Sequence, residues 1–289
     1  MPISHWSAES LTKHIIKMKI VEKISVRQVS RYLSEMDINV YRYKGWLNSV
    51  EKNKDFELFK NKVEEICHIY QTSGQLEEDG VIVTCSDEKM SIQALQHLHP
   101  KKSVQIGSLE KIEQEYERGG VTGVIATRDV NSGEIIVADV QSTRTEKDFV
   151  NHIKQVIELN PDSKRILIMD QLNTHMSESL VRLIAQECNI EDDLGIKSKE
   201  GVLKSKETRK VFLEDISHRI RIVYTPKHTS WMNQIEMWFG IMTRQLLNKR
   251  SSFKSVKELE NKIIEYIDYY NNNIAKKFKW SYTGKTLCV

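Results

Sequence analysis

The sequence predicts an α/β protein: a mixed five-stranded sheet with flanking helices, preceded by a small all-α domain. Three observations carry this expectation. Five short apolar runs, at 81–86, 120–130, 134–140, 165–170 and 220–224, alternate with stretches of helical periodicity. Asn131-Ser132-Gly133 separates the second run from the third, a signal for a tight hairpin. The first fifty or so residues hold no such run, only two stretches that begin on serine and repeat apolar residues at helical spacing.

Taken in order, residues 7–18 read as a helix, with Ser7 as N-cap and Leu11, Ile15 and Met18 on one face. Ser25 caps a second helix in which Val26, Val29 and Leu33 recur. Arg27, Gln28, Ser30 and Arg31 occupy its other faces and are able to reach phosphates and base edges. Two short helices, the second basic on its outside, suggest a helix-turn-helix DNA-binding domain over residues 1–54. Tyr41, Tyr43 and Trp46 follow. A charged helix near Asp55–Tyr70 reads as a linker, 55–76, and Thr72–Gly80 as the boundary to a domain spanning 77–289.

In that domain Val81–Ser86 is a short strand ending on Asp87, and Leu109–Arg118 a charged helix or loop. The hairpin comes next, then a helix over Thr145–Leu159 broken by Pro161. Ile166–Met169 has the character of a strand buried on both faces; it ends on Asp170 and turns toward a helix at Ser177–Glu187. Residues 189–219 are mixed in pattern. Ile220–Tyr224 is the fifth strand, and Trp231–Asn248 and Val256–Asn272 are helices. This order suits an RNase H-like sheet, whose first three strands are antiparallel and whose fourth lies parallel beside the first.

That topology sets Asp87 and Asp170 side by side at one sheet edge, where chemistry collects in open α/β sheets. Two carboxylates there repel, and a divalent cation relieves the repulsion while gaining oxygen ligands. In the helix after the fifth strand, Met232, Ile235, Phe239, Met242 and Leu246 share an apolar face, and Glu236 lies at its margin between Asn233 and Gly240. Glu236 is thus the third candidate. Glu88 is an alternative ligand, but strand alternation points it to the opposite face. Lys89, His175 and Lys227 are candidate phosphate contacts, and Trp231, Trp238 and Phe239 read as core.

Composition narrows the setting. Hydrophobic residues at 39% and charged ones at 29% are ordinary for a globular chain of 289 residues, which can bury a sizeable core. No apolar run approaches a membrane span and no signal-peptide core is present, so a cytosolic setting is expected. Cys67, Cys85, Cys188 and Cys288 are scattered, which argues for packing residues over a disulfide framework or structural zinc. Residues 1–54 carry +5, residues 240–289 carry +6 and the middle carries −8. Basic ends around an acidic centre fit a protein that holds a polyanion with its flanks and cations in its middle.

The segments VTCSDEKMSIQAL (83–95), ILIMDQLNTHMS (166–177), LGIKSKEGVLKS (194–205), YTPKHTSWMNQIEMWFGIM (224–242) and FKWSYTGKTL (278–287) resemble the DDE transposases of bacterial insertion sequences related to the mariner group. The resemblance runs from about Trp6 almost to the end, and matches Asp87, Asp170 and Glu236 to the family's catalytic triad. It implies an RNase H-like catalytic domain holding two Mg²⁺ or Mn²⁺ ions, double-stranded DNA as partner (transposon ends and target), a homodimer when active, and a place on the bacterial nucleoid. The implied reaction is hydrolytic nicking at transposon ends, followed by joining of the 3′-hydroxyl to target DNA, a two-metal phosphoryl transfer. Full members usually carry a further helix-turn-helix upstream, so this one is expected to be the second of two. The 66 positions from Asp170 to Glu236 exceed the compact mariner interval, the excess lying in an insertion near 189–219. Two alternatives remain open at this stage: a catalytically silent or truncated DNA-binding derivative, and an RNase H-like nuclease without strand transfer.

Overall fold

The computed structural model describes residues 5–38, 49–104 and 106–284. The chain forms two compact units, Met1–Asn48 and Ser49–Val289. In the first, helix α1 (Ala8–Lys17) starts on a capping box in which Ser7 and Ser10 satisfy each other's backbone N–H groups. Helix α2 (Val26–Glu35) is capped by Ser25, which accepts from the Gln28 N–H at 3.1 Å. The two helices pack through Ala8, Thr12 and Val29. Met18 and Val26, expected inside, are exposed because they sit at helix ends, Met18 as the C-cap and Val26 as the first residue. Tyr41, Tyr43 and Trp46 lie outside the described residues.

In the second unit, short helix α3 (Val50–Lys54) leads into α4 (Phe56–Glu78), capped by Asp55. Helix α4 is no linker. Phe59, Val63, Ile66, Cys67 and Tyr70 are buried in one core with sheet residues Val83 and Cys85, so it forms a wall of this unit and runs through the stretch expected as a boundary. Gly80, with φ of 76°, then turns the chain into the sheet.

Strands β1 (Val81–His97), β2 (Tyr116–Asp129) and β3 (Ile135–Gln141) form an antiparallel meander; β4 (Lys164–Met169) and β5 (Ile220–Tyr224) add parallel strands, giving the order β3-β2-β1-β4-β5. This is the mixed sheet expected. Strand β1 is much longer than expected, because beyond Asp87 it continues to pair with β2 through a bulge between Lys89 and Ile92. Residues 109–115 form neither a helix nor a regular strand. Helices α5 (Glu146–Glu158), α6 (Glu178–Glu187) and α7 (Lys206–Leu213) cover one face, over a core that includes Phe149, Ile153, Leu167, Met169 and Leu180. Helices α4, α8 (Gln234–Gln245) and α9 (Val256–Asn273) cover the other, with Ile168, Ile235, Trp238 and Phe239 between. The helix expected from Trp231 starts later; Ser230–Met232 is a 3₁₀ turn. The insertion supplies α7 and a short 3₁₀ turn at Val202–Lys204. Cys67 and Cys85 are buried packing residues, as expected, and Cys288 is outside the described residues. No described helix is long and apolar enough to cross a membrane.

Candidate active site

The parallel pairing of β1 with β4 keeps one register from Val81↔Lys164 to Cys85↔Ile168. Extended by two residues, that register sets Asp87 beside Asp170. Strand β4 ends at Met169 while β1 continues, so Asp170 leaves the sheet as its neighbour stays in it. Alternation places Asp87 on the side of Val83 and Cys85, the face covered by α8.

Asp87 is buried. Its Oδ1 accepts the Glu88 backbone N–H at 2.8 Å, and its Oδ2 accepts from Asn233 Nδ2 at 3.2 Å. Burial, reinforced by the Asp170 charge, pushes its carboxyl up to about 8. Asn233 is fully buried, also donates to the Ser86 carbonyl at 3.1 Å, and forms the N-terminal boundary of α8. One helical turn on, Glu236 is exposed in the first turn of α8. Its carboxyl is raised by burial of part of the side chain, with Lys89 opposing and Asp170 adding to the shift. The turn before α8 is itself pinned: buried Tyr70 donates its hydroxyl to the Met232 carbonyl at 2.7 Å. Strands β1 and β4 thus bring Asp87 beside Asp170, and α8 carries Glu236 near enough for the Asp170 charge to bear on it.

His175 was expected near phosphate. It is instead wholly buried, because the chain after Asp170 folds into a 3₁₀ turn (Thr174–Met176) that tucks the ring against Phe149, 4.2 Å between ring centres. Nδ1 meets Asp170 Oδ1 at 2.7 Å and Nε2 meets Glu88 Oε2 at 3.0 Å. Burial disfavours charging the ring, but the hydrogen bonds to the two carboxylates outweigh it and hold the imidazolium up to about 10. Asp170 responds in the opposite sense. Burial would raise it, yet the His175 hydrogen bond and charge and the Leu172 N–H, at 2.9 Å, bring it below the ordinary aspartate value.

Glu88 is the residue that sequence reasoning undervalued. Alternation does turn it to the opposite face, and that is where His175 waits for it. The signal was present in the two apolar neighbours, Phe149 and Met176, that bury the histidine. No residue pattern near Asp170 announces a partner 87 positions away.

The remaining candidates divide by unit. Lys89 lies on β1 close enough for its charge to bear on Glu236. Lys227 is exposed on the turn after β5, and with Asp170, Gln171, Pro226, His228 and Ser230 it lines a cavity of about 260 Å³. Arg27 and Arg31 are exposed on α2 and Gln28 is half-buried; Arg31 pairs with Glu35 at 3.4 Å. These three belong to the first unit. Trp231, expected in the core, is 52% exposed, since the 3₁₀ turn swings it outward against the edge of Tyr282. Trp238 and Phe239 are core residues.

The donors fit a hard divalent cation. Asp87 is a carboxylate held short of full ionisation by burial and, after that, by the adjacent Asp170, a condition a cation reverses, and Asn233 Oδ1 is buried without a hydrogen-bond partner. Ligand atoms of Asp87, Glu88 and His175 lie within 4.8 Å of one another. With both ring nitrogens committed to carboxylates, however, His175 is a brace and not a ligand. Carboxylate oxygens of Asp87 and Asp170 remain beside each other there, with Glu236 on α8.

Comparison with known proteins agrees with this geometry. Solved structures match over nearly the whole chain. The Mos1 transposase paired-end complex with left transposon end has 14% identity and a TM-score of 0.51, covering 97% of this chain and 75% of that one. The Mos1 mariner paired end complex with Mn has 12% identity and a TM-score of 0.50 over the same shares. The Mos1 Strand Transfer Complex has 13% identity and a TM-score of 0.50, covering 93% and 72%. At these identities the likeness establishes the fold. No curated protein matches. The family model described as DDE superfamily endonuclease matches residues 83–260, well over half of the chain and including all three acids. The chain belongs to the DDE superfamily of endonucleases.

Proposed function

We propose that this endonuclease is a transposase that cuts DNA at the ends of a mobile element and joins the freed 3′-hydroxyl to target DNA. What supports the reading most is Asp87 on β1 beside Asp170 at the end of β4, with Glu236 on α8 close enough for the Asp170 charge to bear on it. Its support from relatives is that Mos1 structures of this fold are described as transposon-end and strand-transfer complexes, one of them with Mn.

Asp87, Asp170 and Glu236 would hold two Mg²⁺ or Mn²⁺ ions, which when bound supply a deprotonated attacking hydroxyl and a neutralised leaving oxygen. The chain's own residues do the positioning. His175, anchored on Glu88, fixes the Asp170 carboxylate, and Asn233 orients Asp87 from the start of α8. Lys89 and Lys227 face the incoming backbone phosphates. A further cavity, of about 740 Å³, opens beside Glu236, with Arg244, Lys276, Lys277 and Lys279 in its lining; these cations suit a DNA backbone. Arg27, Gln28 and Arg31 on α2 contribute DNA contacts, and two copies act together on a pair of ends in the bacterial cytoplasm.

The test is a two-plasmid assay, one plasmid carrying the element's own ends, with Mg²⁺ or Mn²⁺. The expected products are nicks at the ends and covalently joined molecules. Nicks without joined products would favour a nuclease lacking strand transfer. DNA binding without cuts in either metal would favour a silent derivative.

A further inference from the structure

Asp87 lies where β1 has lost strand support on one side. The β4 ladder ends at Cys85↔Ile168, just before it, and the β2 pairing is broken by a bulge that opens after Lys89, with Ser91 at φ of 60°. Side chains make up the difference. On the face opposite the Asp87 carboxyl, its two neighbours Ser86 and Glu88 are each tied to a buried histidine. Glu88 meets His175. Ser86 is joined to His152 of α5 through Thr127 of β2.

This second chain of contacts is continuous. Ser86 Oγ and Thr127 Oγ1 are 2.7 Å apart, Thr127 Oγ1 and His152 Nε2 2.8 Å, and His152 Nδ1 and Asp139 Oδ2 2.6 Å. The His152 hydrogen bond outweighs burial and holds the Asp139 carboxyl below the ordinary aspartate value, so Asp139 accepts and Nδ1 donates. Gln155 Nε2 steadies the same carboxylate from 3.2 Å. A hydroxyl both donates and accepts, which lets Thr127 bridge a ring nitrogen and a second hydroxyl. Hydroxyl, imidazole and carboxylate in that order are the parts of a nucleophilic triad, but Ser86, Thr127 and His152 have no exposed surface, so no substrate reaches them. A buried polar network whose members are satisfied fixes one arrangement of the elements it joins, here β1, β2, β3 and α5.

Ser86 is held through its backbone as well: its carbonyl accepts from Asn233 Nδ2 at 3.1 Å, the same amide that reaches Asp87 Oδ2 at 3.2 Å. We propose that Thr127 and His152, anchored on Asp139, are positioning residues for Asp87. They lock the Ser86 side chain on one face of the sheet, as His175 locks Glu88, and so fix the stretch of β1 from which Asp87 presents its carboxyl to a divalent cation. This rests on the reading that Asp87 holds such an ion, but part of its test needs no metal.

The experiment compares the full-length wild type with three variants. Thr127→Val keeps a branched side chain and removes the hydroxyl, Thr127→Ser restores it, and Val156→Ala weakens the core under α5 without touching the network. Hydrogen exchange in EDTA, followed by mass spectrometry, is expected to quicken about tenfold or more over residues 83–90 in Thr127→Val, measured against peptides from β4 and β5. Calorimetry with Mn²⁺ is expected to show affinity weakened about tenfold in Thr127→Val. Thr127→Ser is expected to restore both. Val156→Ala is expected to lower the melting temperature while leaving Mn²⁺ affinity and the exchange contrast as in the wild type. A folded Thr127→Val with wild-type affinity, or with no excess exchange over 83–90, would overturn the proposal. So would Val156→Ala reproducing both changes, since lost stability alone would then account for them. Should Thr127→Val fail to fold, Ser86→Ala, which cuts the link at its inner end, is read in its place by the same criteria. A wild type that binds no Mn²⁺ would count against the metal reading of the acids, and the exchange pattern would still decide whether the network holds this strand.

Discussion

His175 is charged because of what surrounds it, and the consequences can be measured. The ring sits between Glu88 and Asp170 with no exposed surface, so replacing it leaves two buried or half-buried carboxylates facing each other. His175→Gln keeps a hydrogen-bonding side chain but loses the charge, and is expected to weaken Mn²⁺ binding by about 10- to 100-fold, the usual cost of losing a residue that orients a ligand. Titration calorimetry with Mn²⁺ checks this; unchanged affinity would make the histidine a packing residue only. The same cluster predicts how the metal-free protein responds to pH. The folded imidazolium is raised from 6.5 to about 10, so its stabilising contribution is complete below 6.5 and is lost as pH rises through about 10. Asp87 acts in the same direction: a carboxyl raised from 3.8 to about 8 favours the fold while protonated and ceases to as it ionises. Melting temperature in EDTA is therefore expected to fall as pH climbs from 6.5 toward 10, less steeply in His175→Gln. A flat profile in the wild type would contradict both assignments.

At the scale of elements, the site depends on how α8 begins. The Tyr70 hydroxyl on α4 caps the Met232 carbonyl, and the following Asn233 reaches Asp87. Tyr70→Phe leaves that buried carbonyl unsatisfied, a cost of about 1–3 kcal/mol. Urea unfolding is expected to show this loss together with reduced cutting, since Glu236 lies one turn further on; full stability in Tyr70→Phe would mean the turn is held by other contacts. The strands and helices around the site were largely legible in sequence, because period-2 and period-3.6 apolar patterns report which face is buried. The length of β1 was not. Beyond Asp87 its residues are only partly apolar, and what keeps them extended is pairing with β2, a contact distant in sequence. The role of α4 was obscured for a similar reason: its charged exposed face reads as a linker, while its buried face is explained only by the sheet it covers.

For the whole molecule, topology did most to reveal the site. Strand order predicts Asp87 beside Asp170, and the register of β1 with β4 agrees; helix phase adds Glu236 as the proposed third acid. The parts of Glu88 and Thr127 could not be read this way, since each acts through a partner that only the folded chain brings near. Of the basic C-terminal part of the chain, Arg244, Lys276, Lys277 and Lys279 line the cavity beside Glu236. Salt is accordingly expected to weaken DNA binding steeply, in a log–log fluorescence titration, whatever the sequence of the duplex; salt-independent binding would deny the electrostatic track. The central claim, that the three acids form a metal-dependent DNA-cutting centre, is tested most directly by nicking of supercoiled plasmid with Mg²⁺, Mn²⁺ or EDTA, using the wild type and Asp170→Asn. Nicking by the wild type with metal, and none with EDTA or by a folded Asp170→Asn, is the expected result. Nicking that survives in Asp170→Asn, or that proceeds in EDTA, would contradict it.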